Sequence, residues 1–157
     1  MYCKNFFLVL ISFVFTSFVI SSPSIADTSS VVKTKSPFKA LETLERIEGV
    51  IGKRGLKVFN RIDHASAAQD YGKSMPPSWV VIFGNPKVGT GFMLKSPASA
   101  IDFPLKGLVY EDAEGSVWFA YNTSEHMKLI FERHGLSGKM DWYEKLMASI
   151  VAEAFKK

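Results

Sequence analysis

Two neighbouring strand patterns with no helix between them constrain the fold of this chain most strongly. Residues 105–110 and 117–121 are rich in branched and aromatic side chains, and residues 112–115 between them end in Gly115, which suits the left-handed position of a hairpin turn. A doubly wound parallel sheet needs a helix between successive strands. The pattern therefore predicts an antiparallel pair and excludes a doubly wound sheet.

The remaining strand patterns complete an α+β order. Residues 79–83 form a continuous apolar run, typical of a strand covered on both faces. Residues 56–62 alternate, with Leu56, Val58 and Ile62 on one side, and Val31 with Val32 predicts a short first strand. The predicted fold is a mostly antiparallel sheet in strand–helix–four-strands–helix order, with the helices packed on one face.

Two sequence signals mark helix starts. Ser36 and Pro37 read as the N-cap and first residue of a helix whose apolar positions recur every three or four residues as far as Ile51. Asp141 followed by Glu144 predicts a capping box at the start of the last helix.

The first 26 residues have the organisation of a secretory signal peptide. Lys4 precedes an apolar run over residues 6–20, and the small residues Ser24 and Ala26 predict cleavage before Asp27. A retained membrane anchor is the alternative, but this run rises only about 22 Å as a helix, against a hydrocarbon core of roughly 30 Å. We expect a periplasmic or secreted protein that meets the membrane only through this leader, with an N-terminal segment over residues 27–35 and one domain over 36–157.

The composition of the mature chain excludes several classes of protein. Five of the 13 phenylalanines and the only cysteine, Cys3, lie within the leader, so the rest of the chain has an ordinary apolar content and no thiol. Disulfide scaffolds and thiol-based redox catalysis are therefore excluded. Removing the leader leaves 18 basic and 15 acidic residues. We interpret the cluster of Lys53, Arg54, Lys57 and Arg61 as a solvated face, not as a nucleic-acid-binding surface.

Five short motifs follow one another along the chain: Ile62-Asp63-His64, Phe83-Gly84-Asn85-Pro86, Gly89-Thr90, Asp102-Phe103-Pro104-Leu105-Lys106 and Tyr121-Asn122. In this order, over about residues 36–135, they resemble the domain-of-unknown-function family 302. The resemblance implies a small α+β domain like the TATA-binding-protein fold, often paired as a homodimer, and it implies no known reaction. Phe103 stands where the family usually has leucine, and no proline follows Asn122, which changes the entry into the next helix.

The Asp63-His64 pair is the first candidate site. A carboxylate beside an imidazole suits acid–base catalysis. Neighbouring residues of a strand point to opposite faces, however, so we favour a structural role in which Asp63 caps the following turn.

The glycine-rich stretch over residues 84–91 is the second candidate, and we interpret it as a loop. Its backbone N–H groups, Lys87 and the Thr90 hydroxyl suit an anion. A structural turn shaped by Asn85 and Pro86 explains the stretch equally well, and its spacing matches neither a phosphate-binding loop nor a dinucleotide-binding motif.

Asp102 and Lys106 are the third candidate. They lie four residues apart around Pro104, where they either share a pocket or form a surface ion pair worth at most about 1 kcal/mol. Metal binding is not expected, because His126 and His134 lie eight residues apart on one predicted helix, too far to share an ion. No cofactor is predicted.

The sequence as a whole predicts an exported homodimeric domain that binds a small polar or anionic molecule. The alternatives are a small acid–base enzyme and a protein-interaction module without a small-molecule ligand. The candidate catalytic residues are Asp63, His64 and Asp102, and the candidate ligand-binding residues are Asn85, Thr90, Lys106 and Tyr121.

Overall fold

The structure is a computed structural model that describes residues 30–157. The predicted signal peptide, its predicted cleavage site and Cys3 lie outside the described residues. The elements in chain order are β1 (Val31–Lys35), α1 (Ala40–Lys53), β2 (Lys57–Asp63), α2 (His64–Gln69), β3 (Ser78–Gly84), α3 (Pro86–Lys95), a 3₁₀ helix (Pro97–Ile101), β4 (Leu105–Glu111), β5 (Val117–Asn122), α4 (Ser124–Arg133) and α5 (Asp141–Ala154).

The five strands form one antiparallel sheet in the spatial order β1-β5-β4-β3-β2. Strands β2 to β5 lie next to one another in chain order, whereas α1 carries the chain from the β1 edge to the β2 edge. The hairpin between β4 and β5 turns at Gly115, whose φ of 76° requires glycine or strain. The predicted α+β class and element order are confirmed.

The hydrophobic core lies between one face of the sheet and helices α1 and α5. On β3, Val81 and Phe83 are fully buried, whereas the alternate residues Val80 and Ile82 are only half-buried. Strand β3 is therefore buried on one face and not on both. The fully buried residues of the two helices are Leu44, Ile47, Ile51, Met147 and Ile150.

A bulge in β2 breaks the predicted alternation. The register shifts between Val58 and Asn60, so Val58 pairs with Phe83 on the core side while Ile62 pairs with Val80 on the opposite side. Ile62 is 40% exposed as a result. Pairing register is a tertiary property, and one extra residue moves every later side chain to the other face.

Two predicted helix starts differ from the structure. Helix α1 begins at Ala40, and Ser36 instead pairs its hydroxyl with that of Thr43 at 2.6 Å while accepting a bond from the Phe38 N–H. Helix α5 begins at Asp141 itself, with Met140 as a cap that makes no side-chain bond, so the capping box does not form. Within residues 30–157, no helix is long and apolar enough to cross a membrane.

Candidate functional site

A cleft of about 400 Å³ opens where β3 ends and α3 begins. It extends to the start of β2, to the segment that enters β4 and to the first two turns of α5. Four separate stretches of the chain therefore build it. The lining residues are Leu56, Phe59, Gly84, Asn85, Pro86, Val88, Gly89, Thr90, Phe92, Met93, Phe103, Pro104, Leu105, Trp142 and Leu146.

The glycine-rich stretch that the sequence predicts as a loop is largely the helix α3. Asn85 caps this helix, because its side-chain oxygen accepts bonds from the N–H groups of Lys87 at 3.0 Å and Val88 at 3.4 Å. Pro86 occupies the first helical position, where its fixed φ suits the helix and its missing N–H costs nothing. These two hydrogen bonds use the side-chain oxygen of Asn85, so the NH₂ of its amide is the group left to bind a ligand.

Aromatic rings form the wall behind the cleft. Phe131 of α4 is 2% exposed, and its ring centroid lies 4.8 Å from that of Phe92, 5.7 Å from that of Phe103 and 6.4 Å from that of Trp142. Phe92 and Phe103 also stack on each other at 5.7 Å. Phe131 therefore supports three rings that line the cleft without lining it itself.

The cleft lining carries no ionisable side chain. Its polar side-chain groups are the Asn85 amide, the Thr90 hydroxyl and the indole N–H of Trp142. An apolar pocket with a few polar groups binds by burial and orients by hydrogen bonds. This surface suits an apolar molecule with one polar end, and it holds no acid or base for catalysis.

The structure places Asp63 and His64 at the opposite end of the sheet from the cleft. Asp63 pairs with Trp79, while Asp102 lies just before Leu105, which pairs with Phe83. Trp79 and Phe83 lie four positions apart on β3, or about 13 Å along the strand. Asp63 and Asp102 therefore do not share a site.

Asp63 acts as the N-cap of α2. Its oxygen accepts a bond from the Ser66 N–H at 2.9 Å, and this bond, followed by one from the Trp79 side chain, lowers the pKa of the carboxyl. His64 is the exposed first residue of that helix. This geometry is the structural role that the sequence favours for the pair.

Asp102 contacts two residues that the sequence does not connect with it. Its carboxylate pairs with Arg133 at the end of α4 and with His134, whose side chain is only 8% exposed. His134 is the C-cap of α4, just beyond its last residue, Arg133. The Asp102 cluster, meaning Asp102, Arg133 and His134, fastens the segment before β4 to α4.

Lys106 and Tyr121 are not among the residues that line the cleft. The Lys106 ammonium is exposed and donates to the backbone oxygens of Asp102 and Pro104 at 3.4 Å, not to the Asp102 carboxylate. Tyr121 packs against the core beside Phe119, and burial raises the pKa of its hydroxyl. Of the residues predicted to bind a ligand, only Asn85 and Thr90 line the cleft. No group of three or more His, Cys, Asp or Glu side chains arranged for a metal occurs within residues 30–157.

The Asp102 cluster makes a testable prediction about pH. Hydrogen bonds from Arg133 and then His134 lower the pKa of Asp102. A carboxyl with a lowered folded-state pKa contributes stability above its unfolded pKa, and that contribution is lost as pH falls through the folded value. We expect Asp102→Asn to destabilise the protein at pH 6, with a gap to wild type that shrinks as pH falls below about 4. Urea unfolding across this range measures the gap; exposed Asp70→Asn is the control, and a gap independent of pH contradicts the prediction.

The fold and the cleft together define a class of protein: a small α+β domain with helices against a five-stranded antiparallel sheet and an apolar cleft at one end of it. The chain belongs to the family described as "Domain of unknown function DUF302", whose model matches residues 32–154. A crystal structure of an uncharacterised conserved DUF302 protein from Bacillus stearothermophilus has the same fold. It matches with a TM-score of 0.70 at 16% identity, covering 80% of this chain and 98% of that one.

Curated relatives carry the name of a fluoride-specific ion channel. The "Fluoride-specific ion channel FluC 1" proteins of Brucella suis biovar 1 (strain 1330) and Brucella abortus biovar 1 (strain 9-941) are each 34% identical to this chain over 121 residues. The alignment covers 77% of this chain but only 46% and 44% of those proteins. This chain thus spans less than half the length of the curated relatives that it matches.

Proposed function

We propose that this domain binds a small, mostly apolar molecule in the cleft. The observation that carries the proposal is a volume of about 400 Å³ lined without a single ionisable side chain. Pockets of 300–1,000 Å³ with this character are typical small-molecule sites. The Asn85 amide and the Thr90 hydroxyl would orient one polar end of the ligand.

The proposed ligand class differs from the polar or anionic one that the sequence predicts. A free anion would lose its hydration in the cleft and meet no cation in the lining, which makes its binding unfavourable. Lys106, the cation expected to hold it, is not a lining residue, and its ammonium donates to the backbone oxygens of Asp102 and Pro104. An acid–base enzyme is not proposed, since Asp63, His64 and Asp102 are all absent from the lining.

A charge at the mouth of the cleft tests ligand binding. Val88 lines the cleft and is 48% exposed, so Val88→Asp leaves the core intact while placing a carboxylate beside the ligand. We expect binding of the uncharged fluorescent probe N-phenyl-1-naphthylamine to weaken at least about tenfold, or roughly 1.4 kcal/mol. Fluorescence titration measures this affinity.

Leu129→Asp is the matched control for this experiment. Leu129 is 64% exposed on α4 and lies outside the cleft lining, so the same change there should leave probe affinity unchanged. The proposal fails if the wild-type protein does not bind the probe, or if Val88→Asp and Leu129→Asp bind it with the same affinity.

We also propose that the domain is exported and works as a homodimer. The leader pattern of residues 1–26 supports export. The sheet face opposite α1 supports pairing, because its half-buried apolar side chains, among them Val80, Ile82 and Leu108, alternate with the core residues. Native mass spectrometry of the secreted protein tests both points: we expect a dimer starting at Asp27, whereas a mass starting at Met1 refutes cleavage and a monomer refutes pairing.

A second candidate function rests on the fluoride-channel relatives. We propose that this domain assists a fluoride channel at the membrane, in the role of the part of those proteins that it matches. The apolar lining offers no site for a fluoride ion, so the assistance would not be conduction. Deletion of the gene is expected to lower fluoride tolerance severalfold, with restoration by wild type and Leu129→Asp but not by Val88→Asp. Unchanged tolerance after deletion removes this candidate.

A further inference from the structure

The outer side of the cleft wall exposes large apolar side chains. Helix α3 has no fully buried residue, and the exposed fractions are 48% for Val88, 80% for Leu94 and 79% for Ile101 of the adjoining 3₁₀ helix. Leu94 and Ile101 do not line the cleft. We call Val88, Leu94 and Ile101, together with Lys87 and Lys95, the α3 surface.

The charged side chains of residues 84–101 are all positive. Residues 84–101 contain Lys87 and Lys95 and no acidic residue. The next residue, Asp102, has its carboxylate paired with Arg133 and His134, so its charge is compensated within the protein. Lysines interspersed with outward-facing apolar side chains are typical of helices that lie in an anionic lipid–water interface.

The α3 surface is continuous with the mouth of the cleft. Val88 belongs to both, and two further rim residues, Phe59 and Trp142, are 43% and 39% exposed. Tryptophan is enriched at membrane interfaces because its ring is apolar and its N–H polar. Val88 therefore joins the α3 surface to the cleft mouth.

Helix α3 contains two interior glycines. Gly89 and Gly91 lie inside the helix, each costing up to about 1 kcal/mol of helix stability against alanine. Neither has a positive φ, and a Cβ at Gly91 would meet nothing within 4 Å. The helix that carries the exposed apolar side chains is therefore only weakly stabilised by its own sequence.

We propose that the α3 surface docks the domain onto a bilayer containing anionic lipids. Leu94 and Ile101 enter the interface, and Lys87 and Lys95 contact the lipid phosphates. The docking itself is independent of the proposed ligand, while the exchange of an apolar ligand between bilayer and cleft rests on the proposed function.

Vesicle co-sedimentation tests the docking. We expect the purified protein to bind vesicles of phosphatidylglycerol and phosphatidylcholine in equal parts, and at least about tenfold less well to phosphatidylcholine alone. The double variant Leu94→Asp/Ile101→Asp should lose at least about tenfold in binding to the mixed vesicles. All proteins compared carry the same N-terminus, so any lipid affinity of that segment cancels.

Matched controls keep the docking and the ligand proposals distinguishable. Leu41→Asp/Leu129→Asp makes the same chemical change at residues 53% and 64% exposed on α1 and α4, and it should bind vesicles like wild type. The Leu94→Asp/Ile101→Asp variant should keep its affinity for N-phenyl-1-naphthylamine, which shows a folded, working cleft. Docking is refuted if the Leu94→Asp/Ile101→Asp variant binds vesicles like wild type, if the control variant loses binding equally, or if wild type does not bind vesicles. The ligand proposal is refuted separately if wild type does not bind the probe.

Discussion

Replacing Phe131 with alanine is expected to lower the free energy of unfolding by about 3–5 kcal/mol. The ring is 2% exposed and contacts Phe92, Phe103 and Trp142. Its removal loses apolar burial, leaves a cavity, and breaks three aromatic contacts that add to burial. Because those three neighbours line the cleft, we also expect probe affinity to fall about tenfold. Urea unfolding and probe titration measure the two effects.

Phe131→Leu separates the two consequences of this change. Leucine fills most of the volume, so the loss of stability should be less than for alanine, at about 1.5 kcal/mol. The leucine variant therefore stays folded and reports on the cleft alone. A Phe131→Ala protein with wild-type stability and wild-type probe affinity would show that the ring does not support the cleft wall.

Replacing Gly107 with alanine is the second large expected effect. A Cβ at this position would lie 2.6 and 2.7 Å from two ring carbons of Phe119, closer than such atoms approach in proteins. Phe119 is fully buried beneath the helices and cannot turn aside freely. Overpacking of this kind costs about 1–3 kcal/mol, measured as a lower urea midpoint without a change in slope.

Gly91→Ala is the matched control for Gly107→Ala. A Cβ there meets nothing within 4 Å, and the residue lies inside α3, so alanine should stabilise the protein by about 0.5–1 kcal/mol. The two alanine substitutions are thus expected to have opposite signs. Equal destabilisation by both would show that the sheet position of Gly107 is not the cause.

Much of the fold could be predicted from local patterns. The β4–β5 hairpin follows from two strand patterns around a turn at Gly115, and the buried stripe of α1 follows from apolar residues such as Leu44 and Ile47. The sequence predicts a loop where helix α3 lies, because helix propensity gives more weight to the glycines than to the start signal of Asn85 and Pro86.

The candidate site could be predicted only in part. Asn85 and Thr90 line the cleft, but most of its surface is apolar and resembles core residues in the sequence. The sequence offers one weak signal, because Phe59 falls on the polar side of the alternating β2 pattern, but a single apolar residue in such a place is common and specifies no site. The pairing of Asp102 with Arg133 and His134 joins residues about 30 positions apart, and nothing local indicates it.

The sequence by itself determined the α+β class, the order of the strands along the chain, the hairpin and the cap at Asp63, since each depends on residues close together in the chain. Only the tertiary structure decided the bulge in β2, the partners of Asp102 and the cleft. The physical reason is that the cleft is the space left between four stretches around residues 56–59, 84–93, 103–105 and 142–146. Its shape depends on how the sheet, α3 and α5 pack, and packing is set by contacts between residues distant in the chain.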